Sequence, residues 1–492
     1  MYNLVFGIIT VLTASLLFFR AYKCYSLGKF EWAIFYIVLG GLILRVFSGF
    51  DMYLNPWDER FHALVAKNFL KHPFIPTLYD NPLLPNNPEN WCGNHMWVHK
   101  LPLPLWFISG SIGIFGVNEI AVRLPSIVLS TIGIYLTYYI FKYLYGKREA
   151  LLAAFFYSIS GFIIEITVAR VPTDHVDLFF LFFTELSIFF VILYLKTGKR
   201  YIHILIGLGI GCAILCKWLP ALIVVPIWFI LVWKKDTIKD IVINLFIILF
   251  FTLIVFLPWQ IYIYSAFPKE TIFENQQYFN RFFKVLDGRG GNLFYYLENV
   301  QRNVNVFVYI SIIWFIFITI KRKKEEKYWA VVVWFLLPYI FFSILATKMQ
   351  GYVLFVVPAL FIMISHFFWE MVDKINKIKY SLLLKLLLAG ILIYPVYYSV
   401  NRINPFRIID RSPSWVSDLK KLNERIPEKN TVIFNVEHNI EGMFYTDFIM
   451  YKQLPSLQDI KDIRGKGYNI YLYDSGNLPD SLLIIPEVKI LK

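Results

Sequence analysis

Residues 241–260 read IVINLFIILFFTLIVFLPWQ, twenty consecutive positions without a charged side chain. At 1.5 Å of rise per residue, a helix of that length covers the roughly 30 Å of a bilayer's hydrocarbon core. Working outward in both directions, similar apolar blocks recur. The sequence predicts spans at about 2–20, 30–49, 124–144, 151–169, 176–195, 201–216, 218–233, 241–260, 304–320, 328–345, 351–369 and 381–399. The whole chain of 492 residues is 58% hydrophobic and only 17% charged. A soluble globular chain sits near 45–50% and about 25%. Disorder, a disulfide scaffold, collagen and an ordinary cytosolic enzyme are excluded. The expected class is an all-α polytopic membrane protein of about twelve transmembrane helices.

The net charge of +14 raises the question of nucleic acid. Its placement answers it. Basic residues gather between the apolar blocks, from Arg20 to Lys29, Lys142 to Arg148, Lys196 to Arg200, Lys234 to Lys239, Lys321 to Lys327 and Lys374 to Lys379. Short cytoplasmic loops carry such an excess. Threading the spans through these clusters leaves both termini and the long loops 50–123 and 261–303 outside. The charge is an orientation signal, and no nucleic-acid partner is expected.

The same alternation assigns the apolar stretch 101–117, LPLPLWFISGSIGIFGV. If it crossed, every later basic cluster would invert, so it is read as a helix in the outer interface. Asp58 to Lys71 is read likewise. Phe61, Leu64, Val65 and Phe69 form one face and His62, Lys67 and Lys71 the other, with Pro56 before and Pro73 after. The four cysteines (Cys24, Cys92, Cys212, Cys216) predict no disulfide and match no zinc motif. Segment 2–20 lacks a basic leader and a cleavage site, so no removable signal peptide is expected.

After residue 400 the composition becomes that of a soluble domain. A helix is expected over Ser414 to Arg425, a strand over Thr431 to Val436, and a helix over Leu457 to Arg464. Strands are expected near Tyr468 to Tyr473 and Leu482 to Ile485. This predicts a small α/β domain at 401–492 behind a membrane domain at 1–400.

In a membrane protein the ionisable residues at the bilayer surface carry the information. The first outside loop holds Asp58, Glu59, Arg60, His62, His95, His99 and Lys100. Asp58 and Glu59 open a helix, where the dipole keeps a carboxylate ionised. Such a carboxylate can deprotonate a hydroxyl, hold a metal, or simply cap the helix. Lys100 stands where a cation meets a lipid phosphate, or where a lysine snorkels to the interface. Arg170, Asp174, His175 and Asp177 cluster at the end of one span, and Lys217 and Lys348 are lone cations at the ends of others. Arg281 sits amid aromatics (YFNRFF), as an interfacial helix would also have it. All of these fall on the same predicted side. A carboxylate with several cations there fits a reaction on a lipid-linked phosphate, the carboxylate activating an acceptor and the cations stabilising the leaving group. A divalent metal is open chemistry for Asp, Glu and His, but no spacing is diagnostic.

At these residues the chain resembles the GT-C membrane glycosyltransferases, in the branch of protein O-mannosyltransferases and lipid A aminoarabinose transferases. The strings that carry the resemblance are WDERFHALVAKNFLKHP (57–73), HKLPLPLWF (99–107) and FGVNEIAVRLPS (115–126). ARVPTDHVDLFF (169–180), LPWQIY (257–262) and TKMQGYVLFVVPAL (347–360) support them more loosely. The resemblance covers roughly residues 50–370. It implies inverting transfer of one sugar, hexose or pentose, from a polyprenyl-phosphate donor at the outer face. The family's first-loop acidic motif falls on Asp58 and Glu59, which makes Asp58 the expected general base. The family's lysine before a proline-rich run falls on Lys100, implying contact with the donor phosphate. Arg281 and Lys348 match positions that approach the phosphate, and Asp174 matches an acidic position after a basic one, Arg170. His62 and His99 are expected at the substrate. His99 stands where the aminoarabinose branch has an acidic residue. The acceptor is a lipid (lipid A), a glycan or a protein.

The expected location is a bacterial inner membrane, with the active site and the C-terminal domain on the periplasmic side. No Asn in the chain begins an N-x-[ST] acceptor, which favours bacteria over a eukaryotic secretory route. The rival reading is a transporter or flippase of lipid-linked sugars. Such proteins are often built from repeats around mid-membrane charges, and no repeat is visible here.

Overall fold

The computed structural model describes residues 2–87, 89–90, 92–172, 175–375, 381–474, 476 and 478–491. The protein is a multi-pass membrane protein, mainly helical. Among the described residues eight helices are long and apolar enough to cross a membrane: Asn3–Ser26, Phe30–Ser48, Glu119–Leu144, His175–Thr197, Ile238–Ala266, Glu326–Ile344, Gln350–Lys374 and Leu382–Ile403. Each falls on a span expected from the sequence. The expected span 151–169 is a broken helix, Lys147–Ile159 and Gly161–Thr167, bent by 52°. The span 304–320 follows a sharper bend of 110° between Tyr295–Asn303 and Val308–Lys321. Counting each bent pair as one span raises the total to ten. The expected spans 201–216 and 218–233 become the shorter apolar helices Ile202–Lys217 and Leu219–Val232. A helix of 16 residues reaches only about 24 Å, short of the hydrocarbon core.

By its internal contacts the chain forms two compact units. The first comprises Met1–Phe50, Pro125–Ser265 and Asn275–Ile409. Its buried charges have partners, as a low-dielectric setting requires. Arg45 is wholly buried and donates to Ser130 Oγ (2.7 Å) and to the carbonyls of Gly41 and Ser158 (both 3.0 Å). Arg402 pairs with Glu165. Thr137 donates to buried Glu185 at 2.5 Å. Close helix packing rests on small residues in one place. An added Cβ at Gly207 would lie 2.5 Å from the Ile248 carbonyl oxygen, and one at Gly211 would lie 2.5 Å from Val255 Cβ. A Gly-x-x-x-Gly face thus lets Ile202–Lys217 press against Ile238–Ala266.

The second unit comprises Asp51–Leu124, Ala266–Glu274 and Asp410–Lys492. The C-terminal domain shares one apolar core with the first loop. Phe61, Leu64, Val65 and Phe69 of the helix Asp58–Phe69 join Leu78, Tyr79 and Trp97 and the strands of the C-terminal sheet. The residues read as loop and as domain therefore fold as one body. The four strands are β1 Thr431–Phe434, β2 Ile449–Met450, β3 Asn469–Tyr473 and β4 Val488–Leu491, all parallel, in the order β2-β1-β3-β4. The helices Ser414–Lys420 and Leu457–Gly465 and the strands at 431 and 469 lie where the sequence places them. The expected strand at Leu482 to Ile485 is corrected: Asp480–Leu483 is a short helix entered from Pro479, and the last strand begins at Val488. A brief apolar run fits either state by periodicity, and the proline before it starts a helical turn.

The stretch 101–117 forms the helix Pro102–Phe115. Proline at its first position suits the helix start, and Gly116 at φ +82° ends it. Its 14 residues cover about 21 Å, too short to cross. Ile108 and Ile112 pack on Ala63, Ala66, Val122 and Phe444, while Phe107, Ile114 and Phe115 are exposed.

Candidate active site

The helix Asp58–Phe69 begins with Trp57 in the N-cap position, which makes no side-chain cap. Asp58 follows as the first helical residue and turns to Lys100, whose Nζ lies 3.1 Å from Asp58 Oδ2. Capping is therefore not its task. Both side chains are one-fifth exposed. Burial pulls the Asp58 carboxyl upward, but Lys100, His62 and His99 together outweigh it and hold the group well below the usual carboxylate range.

Lys100 is fixed by its own segment. Leu78 N–H donates to the His95 carbonyl (3.0 Å), Trp97 N–H to the Pro76 carbonyl (2.7 Å), and Thr77 Oγ1 to the His95 carbonyl (2.6 Å). The segment then enters the Pro102 helix. Trp97 is buried beneath the site, 5.7 Å from the His62 ring and 5.7 Å from the His99 ring. His62 shares a helix face with Asp58, four residues on, and is wholly buried. His99 Nδ1 lies 2.9 Å from Glu274 Oε2, and both side chains are about nine-tenths buried. Burial pushes the His99 pKa below its ordinary value, and Glu274 pulls the other way.

Glu59 does something different. Its Oε1 accepts from Arg123 Nε at 2.7 Å. Its Oε2 accepts from Arg123 Nη2 (2.8 Å), Asn55 N (2.7 Å) and Asn55 Nδ2 (2.8 Å). Glu59 and Arg123 are both wholly buried, and Arg123 also donates to the carbonyls of Asp51 and Tyr53. Both oxygens are engaged by Arg123 and Asn55, and the side chain is closed off from solvent. These contacts tie the start of the helix to Asn55 and Arg123.

In the first unit, Arg281 lies on the helix Pro268–Phe283 and donates from Nη1 to Tyr352 Oη at 3.3 Å, with Asp287 at 3.7 Å. Lys217 stands over the same tyrosine ring, 4.5 Å from its centroid, and forms an ion pair with buried Asp177. Two cations are thus gathered on Tyr352. Lys348 does not join them. It is buried and its ammonium donates to the carbonyls of Ser343 (2.8 Å) and Leu345, at the end of Glu326–Ile344. This is a helix C-cap and departs from the expected phosphate contact. Arg170 donates to the Ile403 carbonyl at 3.3 Å. Asp174 lies outside the described residues.

Five residues of these clusters carried no role in the sequence reading. Arg123 and Tyr352 lie inside the strings quoted above, but their partners are 64 and 71 positions away. Asp177 and Lys217 were visible as charges without partners. Glu274 had a signal of its own: with Glu270 it makes two acids four apart on an amphipathic helix. Glu270 meets Asn86 at 3.1 Å and Glu274 meets His99. Among the described residues no three of His, Cys, Asp and Glu converge as a cation site. Asp58, Glu59 and Glu274 each face a basic or imidazole partner. Cys24, Cys212 and Cys216 are free thiols.

Residues 99–262 match the model of a family described as dolichyl-phosphate-mannose-protein mannosyltransferase. The crystal structure of ArnT from Cupriavidus metallidurans bound to undecaprenyl phosphate superposes with a TM-score of 0.61. It covers 92% of this chain and 88% of that one at 15% identity. The chain has the GT-C fold. A second such neighbour is the archaeal oligosaccharyltransferase AglB from Archaeoglobus fulgidus, in complex with an inhibitory peptide and a dolichol-phosphate. It has a TM-score of 0.59 and 13% identity, over 86% of this chain and 65% of that one. In sequence the GT-C-fold chain is similar to two uncharacterized proteins of Aquifex aeolicus. One is 26% identical over 74% of this chain and 69% of the relative, the other 29% identical over 73% and 79%.

Proposed function

We propose that the protein is a glycosyltransferase that moves one sugar from a polyprenyl-phosphate donor to a hydroxyl acceptor, with Asp58 as general base. The observation that carries this reading is the 3.1 Å pairing of Asp58 with Lys100. Lys100 lies in the segment where the mannosyltransferase match begins. Support for the donor class comes from two GT-C neighbours solved with isoprenoid phosphates, undecaprenyl phosphate and a dolichol-phosphate.

The chemistry is a single displacement. The acceptor oxygen attacks the anomeric carbon from the face opposite the phosphate, the C1–O bond breaks, and its electron pair leaves on the phosphate. One displacement inverts the anomeric centre. Lys100 binds the phosphate and stabilises the charge that develops on it. That contact also draws Lys100 away from Asp58, whose carboxylate then recovers basicity and takes the acceptor proton. Arg281 and Lys217, gathered on Tyr352, serve as the anion-binding group of the first unit. Glu59 keeps its scaffold role. The location that suits this reading is a bacterial inner membrane, with residues 51–124 and 410–492 on the periplasmic side. The acceptor is a lipid A, glycan or protein hydroxyl.

The test uses the full chain in detergent or nanodiscs with labelled polyprenyl-phosphate sugars and candidate acceptors. Wild type transfers label with inversion. Asp58→Asn loses transfer by about 10²-fold or more, the usual contribution of a general base. Normal transfer by Asp58→Asn refutes the assigned base. Movement of the lipid across the bilayer without transfer favours a flippase.

A further inference from the structure

Trp218 goes against local preference twice. It ends the helix Ile202–Lys217 with φ +69° and ψ −160°, its N–H donating to the Ile214 carbonyl at 2.9 Å. That backbone region belongs in practice to glycine, because a Cβ is crowded there, and an aromatic residue held in it is strained. Glycine is also the usual residue where a helix ends on a positive φ. The indole Nε1 is buried and makes no hydrogen bond, which adds a desolvation cost. A glycine at this position would remove both penalties. Departures of this kind, with no local return, are where a functional reason is to be sought.

The indole joins two parts of the site. Its ring meets Tyr278 edge to face, with centroids 6.3 Å apart and planes at 66°. Tyr278 stands three residues before Arg281 on the helix Pro268–Phe283, so the two share a face. Lys217, next to Trp218 in the chain, stands 4.5 Å from the Tyr352 ring centroid. Arg281 donates to the hydroxyl of that same tyrosine at 3.3 Å. The ring contact therefore ties the helix end that carries Lys217 to the helix that carries Arg281. All of these residues belong to the first unit. Each cation also has a carboxylate partner, Asp177 for Lys217 and Asp287 for Arg281. An incoming anion competes with both carboxylates, and does so best when the two cations reach it together.

We propose that the Trp218–Tyr278 contact is a clamp that sets the spacing of Lys217 and Arg281 for one phosphate group. This rests on the reading of those two cations as the anion-binding group of the transferase, and adds the pair that positions them. The left-handed residue turns the chain directly into the short 3₁₀ helix Leu219–Ile223, and the ring contact holds that turn against Tyr278. Trp218 and Tyr278 are positioning residues. They act through the cations.

The experiment measures the affinity of the full chain in nanodiscs for undecaprenyl phosphate, with kcat and donor KM for transfer and thermal melts for folding. The variants are Trp218→Gly, Trp218→Phe, Tyr278→Ala, the double variant Trp218→Gly with Tyr278→Ala, Lys217→Met and Arg281→Met. Trp218→Gly and Tyr278→Ala should each bind about tenfold more weakly, a usual coupling for residues in contact. The double variant should lose no more than either single one, because the clamp is already open. Trp218→Phe keeps a ring at the contact and should retain most of the affinity. Donor KM should rise in step with the lost affinity, while kcat at saturating donor falls less. Losses that add in the double variant, or a lowered melt with affinity unchanged, overturn the clamp. If Trp218→Gly does not fold, Tyr278→Ala carries the test, and unchanged affinity there overturns the clamp. Wild-type affinity in Lys217→Met and Arg281→Met removes the anion-binding reading itself, and the clamp with it.

Discussion

Asp58 and Glu59 differ by one position and by their partners. Asp58 faces Lys100 at a surface one-fifth open, whereas Glu59 is closed in with Arg123. Both read from the sequence as carboxylates at a helix start, which they are. Which one faces substrate depends on a lysine 42 residues downstream and an arginine 64 residues downstream, and helix periodicity contains neither distance. Removing one partner of a buried ion pair leaves the other charge stranded, at a cost of about 3–5 kcal/mol. Glu59→Gln should therefore lower unfolding stability by that order, read as a drop in the melt of the purified protein. The double variant Glu59→Gln with Arg123→Met should recover part of the loss. A Glu59→Gln protein as stable as wild type but inactive would return Glu59 to the chemistry. His99 and Glu274 show how a site residue stays hidden. The histidine was visible as a departure from the family pattern, yet its partner sits 175 residues on, in a helix that reads as merely interfacial.

At the scale of elements, the long apolar helices were legible because hydrophobic length is a local property. What was not legible is how a span breaks. The bends of 52° and 110° and the two shortened helices depend on what packs around them. The same holds for the C-terminal strand expected at Leu482, where four apolar residues do not decide between helix and strand. Packing by small residues is open to a direct test. Gly211→Val places its side chain against Val255 and the Thr252 carbonyl, where an added Cβ already lies at 2.5 and 3.0 Å. Overpacking of this kind costs about 1–3 kcal/mol and should lower the melting temperature. Gly110→Ala is the control: a Cβ there meets nothing within 4 Å, so the variant should melt at or slightly above wild type. Equal melts for the two would remove the Gly-x-x-x-Gly face from the account of packing.

At the scale of the whole molecule, a sequence read as a membrane domain followed by a tail folds as two interleaved units. Residues 51–124 share a core with 410–492, and Tyr79 stacks on Tyr451 at 5.0 Å across 372 positions of chain. Charges reinforce the union: Arg60 with Glu441 at 3.3 Å, Lys420 with Glu119 at 2.9 Å, and Lys67 capping the carbonyls of Met443 and Thr446. The helix bearing Asp58 is thus held from behind by the C-terminal domain. Composition shifts mark where a chain leaves the membrane, but they do not say which loop it returns to. The central claim is that Lys100, held by Asp58 in the resting protein, is the cation that meets the donor phosphate. The most direct measurement is the affinity of the full chain for undecaprenyl phosphate, in wild type, Lys100→Met and Asp58→Asn. The account predicts binding at least about tenfold weaker in Lys100→Met, a loss of roughly 1.4 kcal/mol or more. It predicts binding tighter than wild type in Asp58→Asn, because the competing carboxylate is gone while transfer is lost. Equal affinity in wild type and Lys100→Met would contradict it.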